Sequence, residues 1–123
     1  MMSEEDKKLR RESWHAKYPW LHCDIECMTG WDDILDRLFS LMHDRWQRME
    51  CHEDDRFSVM QVKEKFGTLR VYTGGADDLI HGMTAMAESC SSFTCEQCGA
   101  SGARLTGGGW LSTRCTACVP DAQ

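Results

Sequence analysis

The sequence lacks the features that mark membrane and secreted proteins. No apolar run in it is long enough to cross a bilayer. The first residues, MMSEEDKKLRRESW, carry charges with no apolar stretch after them, so we expect no secretory signal there. We therefore expect a cytoplasmic protein that does not associate with membranes. In that reducing compartment, eight cysteines favour metal binding over disulfides.

Catalytic motifs are missing as well. The chain contains no phosphate-binding P-loop, no glycine-rich dinucleotide fingerprint and no H-E-x-x-H motif. None of its five histidines falls in a recognisable motif, and none lies after residue 90, where the cysteines cluster. A nucleophilic cysteine needs a histidine and an orienting group beside it. The sequence therefore predicts a protein that is not an enzyme.

Negative charge is concentrated in one part of the chain. The formal net charge is −6, and residues 21–60 hold ten acidic residues against four arginines. An acidic surface repels nucleic-acid phosphates and attracts basic proteins. We therefore expect a protein partner with a basic surface, contacted by Asp54 and Asp55 in the polar stretch 50–56.

Four cysteines form two C-x-x-C pairs, Cys95 with Cys98 and Cys115 with Cys118, separated by sixteen residues. Each pair can place two thiolates on one tight turn, and four thiolates suit a tetrahedral zinc ion. Neither pair has the βαβ setting of a thioredoxin motif, and the spacing matches zinc better than an iron–sulfur cluster. The pattern predicts one structural Zn²⁺. Four protein ligands leave no open position, so the site should supply stability and not catalysis.

The other cysteines have no recognised ligand spacing. A second metal site could be assembled from five residues: His22, Cys23, Cys27, Cys51 and His52. The alternative is a set of ordinary thiols, partly buried in the fold. The sequence leaves both interpretations open.

Hydrophobic periodicity predicts an α+β fold. Residues 31–49 carry apolar side chains at helical spacing, 57–73 predict a β-hairpin, and 76–90 predict another helix. Ser3 can cap a charged helix over 3–18. We divide the chain into a charged helical arm of unassigned role (1–20), an α+β core with helices packed on a small antiparallel hairpin or sheet (21–90), and a zinc-ribbon or treble-clef-like module (91–123).

Two groups of residues are candidates for binding a macromolecule. Trp110, next to the glycines at 107–109, is a predicted contact with a protein partner because tryptophan is enriched in interface hot spots. The alternative for this side chain is a lid packed over the cysteine turns. Four basic residues near aromatic side chains support the alternative function, a nucleic-acid-binding zinc ribbon: Lys63, Lys65, Arg70 and Arg104.

Four blocks of sequence together carry a resemblance: TGWDDILDRL (29–38), VKEKFGTLRVY (62–72), MAESCSSFTCEQCG (86–99) and GGGWLSTRCTAC (107–118). The chain resembles a family of small, largely uncharacterised proteins of bacteriophages and prophages. The resemblance covers about residues 23–118, and KEKFGTLR is its most specific part. It implies an accessory protein acting in the cytoplasm of a bacterial host, and it brings no known activity. By analogy with other small acidic phage proteins, we expect binding to a host protein and inhibition of host defence. The sequence gives no oligomeric state.

Overall fold

The computed structural model describes residues 2–49, 57–107 and 109–119, and it confirms the α+β class. The helices are α1 (Glu4–Lys17), α2 (Asp32–Arg48) and α3 (Asp78–Ser91). Three strands form one sheet in the order β1 (Ile25–Glu26), β2 (Ser58–Lys65) and β3 (Thr68–Gly74). A separate hairpin consists of β4 (Arg104–Thr106) and β5 (Ser112–Arg114). Within the described ranges, no helix combines the length and apolar character that crossing a membrane requires.

The sheet is mixed, which differs from the antiparallel sheet that the sequence predicts. Strands β2 and β3 form the expected antiparallel hairpin, but β1 pairs with β2 in parallel, with Ile25 opposite Val62. Because β1 has two residues, it is too short to show the alternation by which a strand is predicted. The β2–β3 turn consists of Phe66 and Gly67, both with positive φ (54° and 83°).

The charged N-terminal helix packs on the core. Ser3 and Asp6 form a capping box, in which the Ser3 hydroxyl accepts from the Asp6 N–H at 3.0 Å. Trp14 is fully buried and meets Phe39 of α2 edge-on, with ring centroids 5.2 Å apart. Leu9 lies on the exposed side of the helix. Residues 4–17 are therefore joined to α2 through a large aromatic contact.

An ion pair between α1 and α2 corrects one expectation. From the sequence, Thr29 and Asp32 fit a capping pattern, and Asp32 and Asp33 are expected to be solvated acids that complement the dipole at a helix start. In the structure the Asp32 carboxylate is buried, and Arg11 donates to both of its oxygens, at 2.8 and 3.1 Å. Thr29 instead begins a 3₁₀ turn, and no side chain caps α2. The cause is distant in sequence, because α1 brings the partly buried guanidinium of Arg11 to this carboxylate.

Helix α3 buries only part of its apolar surface. Ile80 and Ala87 are buried, and Asp77 caps the helix while it accepts a 2.7 Å bond from Arg45, near the end of α2. Helical spacing in the sequence predicts one apolar face made of Leu79, Met83, Met86, Ala87 and Cys90. Leu79 and Met86 are exposed and border a groove between α2 and α3.

Candidate metal centre

The four predicted cysteine ligands meet in space. The Sγ atoms of Cys95, Cys98, Cys115 and Cys118 lie within 4.8 Å of one another, and those of Cys98 and Cys115 are 3.6 Å apart. Sulfurs bonded at about 2.3 Å to a tetrahedral ion are separated by about 3.8 Å. The cluster therefore fits one metal ion with a closed set of four protein donors. It is the only such group of ligand side chains in ranges 2–49, 57–107 and 109–119.

Backbone hydrogen bonds hold each cysteine pair in a tight turn. The Gly99 N–H donates to the Cys95 carbonyl at 2.9 Å, and the Cys118 N–H donates to the Cys115 carbonyl at 3.0 Å. Gly99, the residue after the first pair, has φ 86°, a left-handed conformation that glycine adopts without strain. The strands β4 and β5 join the two turns, so the local chain path brings the four sulfurs together.

Two thiols of the cluster have pKa values shifted in opposite directions. Burial raises the pKa of Cys95, but backbone N–H groups of Cys115, Cys98 and Gln97 that donate to its sulfur lower it to about 6. Hydrogen bonding with the sulfur of Cys115 raises the pKa of Cys118 to about 12. Four adjacent thiols cannot all lose protons without a positive charge among them. A metal ion bound among the four sulfurs would supply that charge and release the remaining protons.

The start of α2 supports the first cysteine turn. The Gly30 N–H donates to the Glu96 carbonyl at 2.8 Å, and the buried Trp31 indole N–H donates to the Thr94 carbonyl at 2.9 Å. A Cβ at position 30 would lie 2.2 Å from the Cys95 carbonyl oxygen. Only glycine allows this approach, so the TGW block fixes the position of the metal turn on the core.

The turn between β2 and β3 supports the other side of the metal module. The buried Thr113 hydroxyl donates to the Gly67 carbonyl at 2.6 Å. The Glu64 carboxylate accepts from the Gly67 N–H at 2.7 Å, and a Cβ at Gly67 would lie 2.4 Å from Leu105 Cδ1. The KEKFG block is therefore the surface on which β4 and β5 pack. The sequence alone does not show that Gly30 and Gly67 approach residues this distant in the chain.

A partly buried ion pair links a residue that directly follows one ligand with a residue that directly precedes another. Glu96 follows Cys95, Arg114 precedes Cys115, and the Arg114 Nε lies 3.3 Å from Glu96 Oε1. Burial raises the pKa of Glu96, and the guanidinium opposes that shift. Arg114 also donates to the Gln97 side-chain oxygen. These contacts join the two cysteine turns through residues that lie next to the ligands.

Of the three predicted contacts with a protein partner, only Trp110 lies in the described part of the chain. Trp110 is 80% exposed, so it is not a lid over the cysteine turns. Asp54 and Asp55 lie outside the described residues, and their part in partner binding stays a prediction.

The four basic residues of the nucleic-acid alternative do not share one surface. Lys63 and Arg70 are directly opposite each other on β2 and β3, and Lys65 precedes the turn. Arg104 alternates with Leu105 along β4, and Leu105 faces that turn. Arg104 therefore lies on the opposite face of β4, away from the other three.

Two of the residues considered for a second metal site, Cys23 and Cys27, are free cysteines in the described part of the chain. Cys23 and Cys27 are half-buried, and burial raises the pKa of Cys27 to about 11 although Arg11 opposes the shift. Neither belongs to a metal-type cluster within the described residues. Cys51 and His52 lie outside those residues, so the structure does not test the five-residue set as a whole.

Fold and site together define an α+β protein with a four-cysteine module, suited to hold one metal ion, docked on its core. Comparison of the chain with protein-family models, with curated proteins and with solved structures finds no match. All four metal donors come from residues 95–118 of one chain.

We predict that Gly30→Ala weakens the metal centre. The new Cβ would overlap the Cys95 carbonyl, so the first cysteine turn must shift, and overpacking of this kind costs about 1–3 kcal/mol. Thermal unfolding and competition with a colorimetric chelator measure stability and metal affinity in the same protein. Gly109→Ala is the matched control, because no described atom lies within 4 Å of its Cβ position. Equal metal affinity in the two variants would contradict the prediction.

Proposed function

We propose that this protein is a zinc-stabilised interaction module of phage type, which binds and modulates a host protein and has no catalytic activity of its own. The observation that carries the proposal is an aromatic cleft of about 400 Å³ beside the metal module. Phe66, from the β2–β3 turn, and Trp110, from the β4–β5 connection, both line it. We name it the aromatic cleft.

The donor set supports zinc as the metal. Four thiolates in a closed tetrahedral arrangement are typical of structural zinc sites, where the ion contributes folding free energy. Hard cations such as Mg²⁺ and Ca²⁺ prefer oxygen ligands, which the site does not offer. Bound zinc would fix the two cysteine turns and, through β4 and β5, the position of Trp110.

The conformation of Phe66 supports a binding role for the cleft. Its φ of 54° lies in the left-handed region, where a bulky side chain costs about 1–2 kcal/mol and where Asn is preferred in such turns. The ring is 65% exposed, so little packing within the chain compensates. Local strain at an exposed aromatic residue is characteristic of functional surfaces.

The chemistry of the cleft suits a protein surface. Exposed tryptophan and phenylalanine are frequent anchors at the centre of protein interfaces, because they bury a large area at little cost in side-chain entropy. The net charge of −6 favours encounter with a basic partner. Inhibition of host defence is the more specific part of the proposal, and it rests on the resemblance of the sequence blocks to phage proteins.

We expect Phe66→Asn to make the protein more stable and to weaken its binding to a partner. Asn adopts the left-handed conformation readily, so the free energy of unfolding should rise by up to about 1 kcal/mol while an aromatic anchor is lost. Trp110→Ala should lose binding without a change in stability, because the side chain is exposed. The measurement is an affinity capture from bacterial lysate with zinc-loaded baits, read by mass spectrometry.

The control bait is Leu9→Ala, which removes an exposed apolar side chain from α1. A host protein captured by the wild type and by this control, but lost with both aromatic variants, would support the proposal. A capture pattern that is the same for all four baits would remove the aromatic cleft from the interface.

The alternative function is binding of single-stranded nucleic acid by the same cleft. It is favoured by one observation: the Lys65 ammonium lies 5.7 Å from the Phe66 ring centroid, so a base could stack beside a cation. Nuclease treatment of the lysate and a salt titration distinguish the two functions. Captured material that disappears with nuclease, with affinity falling steeply as salt rises, would favour nucleic acid.

A further inference from the structure

An open apolar groove of about 590 Å³ lies between α2 and α3. It shares no residue with the metal centre or the aromatic cleft. Leu79 is 54% exposed in it, and Met86 is more exposed still. The apolar side chains that line it come from both helices: Ile34, Leu38, Leu41, Leu79, Met83 and Met86. Apolar surface shared by two neighbouring helices is what a helical bundle covers with further helices.

A glycine in the interior of α3 indicates what covers the groove. Gly82 lines it, and a Cβ added there would meet no described atom within 4 Å. Packing inside the chain therefore does not require glycine, which is the least favourable helix residue after proline. A missing side chain allows the backbone of another helix to approach closely. The position fits a helix crossing α3 at Gly82.

The charges on the rim make the groove complementary to itself. Arg37 and Asp78 both line it and are exposed, and neither forms an ion pair within the described residues. Asp33, a third charged residue of the rim, is engaged by Arg10 at 2.9 Å. A surface with one available cation and one available anion can pair with a copy of itself across a twofold axis, as isologous interfaces do.

We propose that two copies of this chain associate through the α2–α3 groove, with the four helices forming one layered bundle and Gly82 at the closest approach. Helices of 17 and 14 residues extend about 26 and 21 Å, long enough for several turns of each to contact the partner copy. The dimer leaves the aromatic cleft free. It is therefore independent of the proposed host interaction.

Sedimentation velocity of the full zinc-loaded chain tests the proposal, over about 1–200 µM protein. The expected result is a concentration-dependent shift from the 14.1 kDa monomer towards twice that mass. Leu79→Asp should abolish the shift. Leu9→Asp is the matched control, because Leu9 is an equally exposed helical leucine (52%) outside the groove, and this variant should dimerise as the wild type does.

Gly82→Ala is the second variant. It should not impair folding, so a loss of dimerisation in this variant would not result from misfolding. Alanine should raise the melting temperature because it favours the helix, while the dimer dissociation constant should rise about tenfold or more because the partner helix is held away. A monomer throughout the concentration range would overturn the proposal, as would unchanged dimerisation of Leu79→Asp or Gly82→Ala. Loss of a captured host protein with Leu79→Asp, in a chain that stays monomeric, would assign the groove to the host partner instead.

Discussion

Removal of the metal is expected to unfold the region from Cys95 to Cys118. The strands β4 and β5 have three residues each, and Leu105 and Trp110 are exposed, so the module buries little apolar surface of its own. Structural zinc contributes about 10–16 kcal/mol of apparent binding free energy, as much as the whole stability of a typical domain, about 5–15 kcal/mol. Cys115→Ser, which removes one ligand, should have a similar effect.

Amide hydrogen exchange can localise this unfolding. Protection of the Gly30 and Cys95 N–H groups, which donate to Glu96 and Ala100, should be lost when a chelator is added. Amides within α1 should stay protected for longer, because Trp14 packs on α2 independently of the metal turns. Cys90→Ser is the control, since this exposed cysteine lies outside the cluster. Unchanged protection at Gly30 and Cys95 in the metal-free chain would show that the module folds without its ion.

Asp32→Asn should cost about 3–5 kcal/mol of unfolding free energy, the range for breaking one side of a buried ion pair. The Asp32 side chain is 5% exposed, and the Arg11 guanidinium that it binds also donates to the Cys27 carbonyl at 3.0 Å. With a neutral amide at position 32, that guanidinium would stay partly buried without its counter-ion. Urea unfolding with unchanged slope measures the loss.

Asp33→Asn provides a matched control one residue away. The Asp33 side chain is 92% exposed and pairs with Arg10 at the surface, where an ion pair contributes about 0–1 kcal/mol. A small effect at Asp33 and a large one at Asp32 would establish that the charged N-terminal helix is held to the core by a specific buried contact. If both variants lose equally little unfolding free energy, the Asp32–Arg11 pair stabilises the protein no more than a surface ion pair does.

Local patterns predict much of the fold because they reflect local physics. The helix at residues 31–49 follows from apolar side chains at three- and four-residue steps, and the cysteine cluster follows from two C-x-x-C turns joined by glycines. The β2–β3 hairpin follows from strand-forming residues on both sides of Gly67. Each of these signals is contained within about 25 residues of chain.

Contacts between distant segments carry no such signal. The burial of Asp32 depends on Arg11 in another helix, and the need for glycine at position 30 depends on the carbonyl of Cys95. Helical spacing places Leu79 on an apolar face but does not tell whether that face is covered. For the same reason, the sequence leaves Trp110 with two interpretations, and its exposure decides against the lid.

The way in which the metal module joins the core has a consequence for the speed of folding. The hydrogen bond from Trp31 to Thr94 joins residues 63 positions apart, and the bond from Thr113 to Gly67 joins residues 46 positions apart. Contacts between such distant residues form slowly, because a long loop must close before they stabilise anything. The helices can form on their own timescale, but Trp31 reaches its final hydrogen bond only when the first cysteine turn is in place. We therefore expect the surroundings of Trp31 to be completed after the helices, when the first cysteine turn docks on the core.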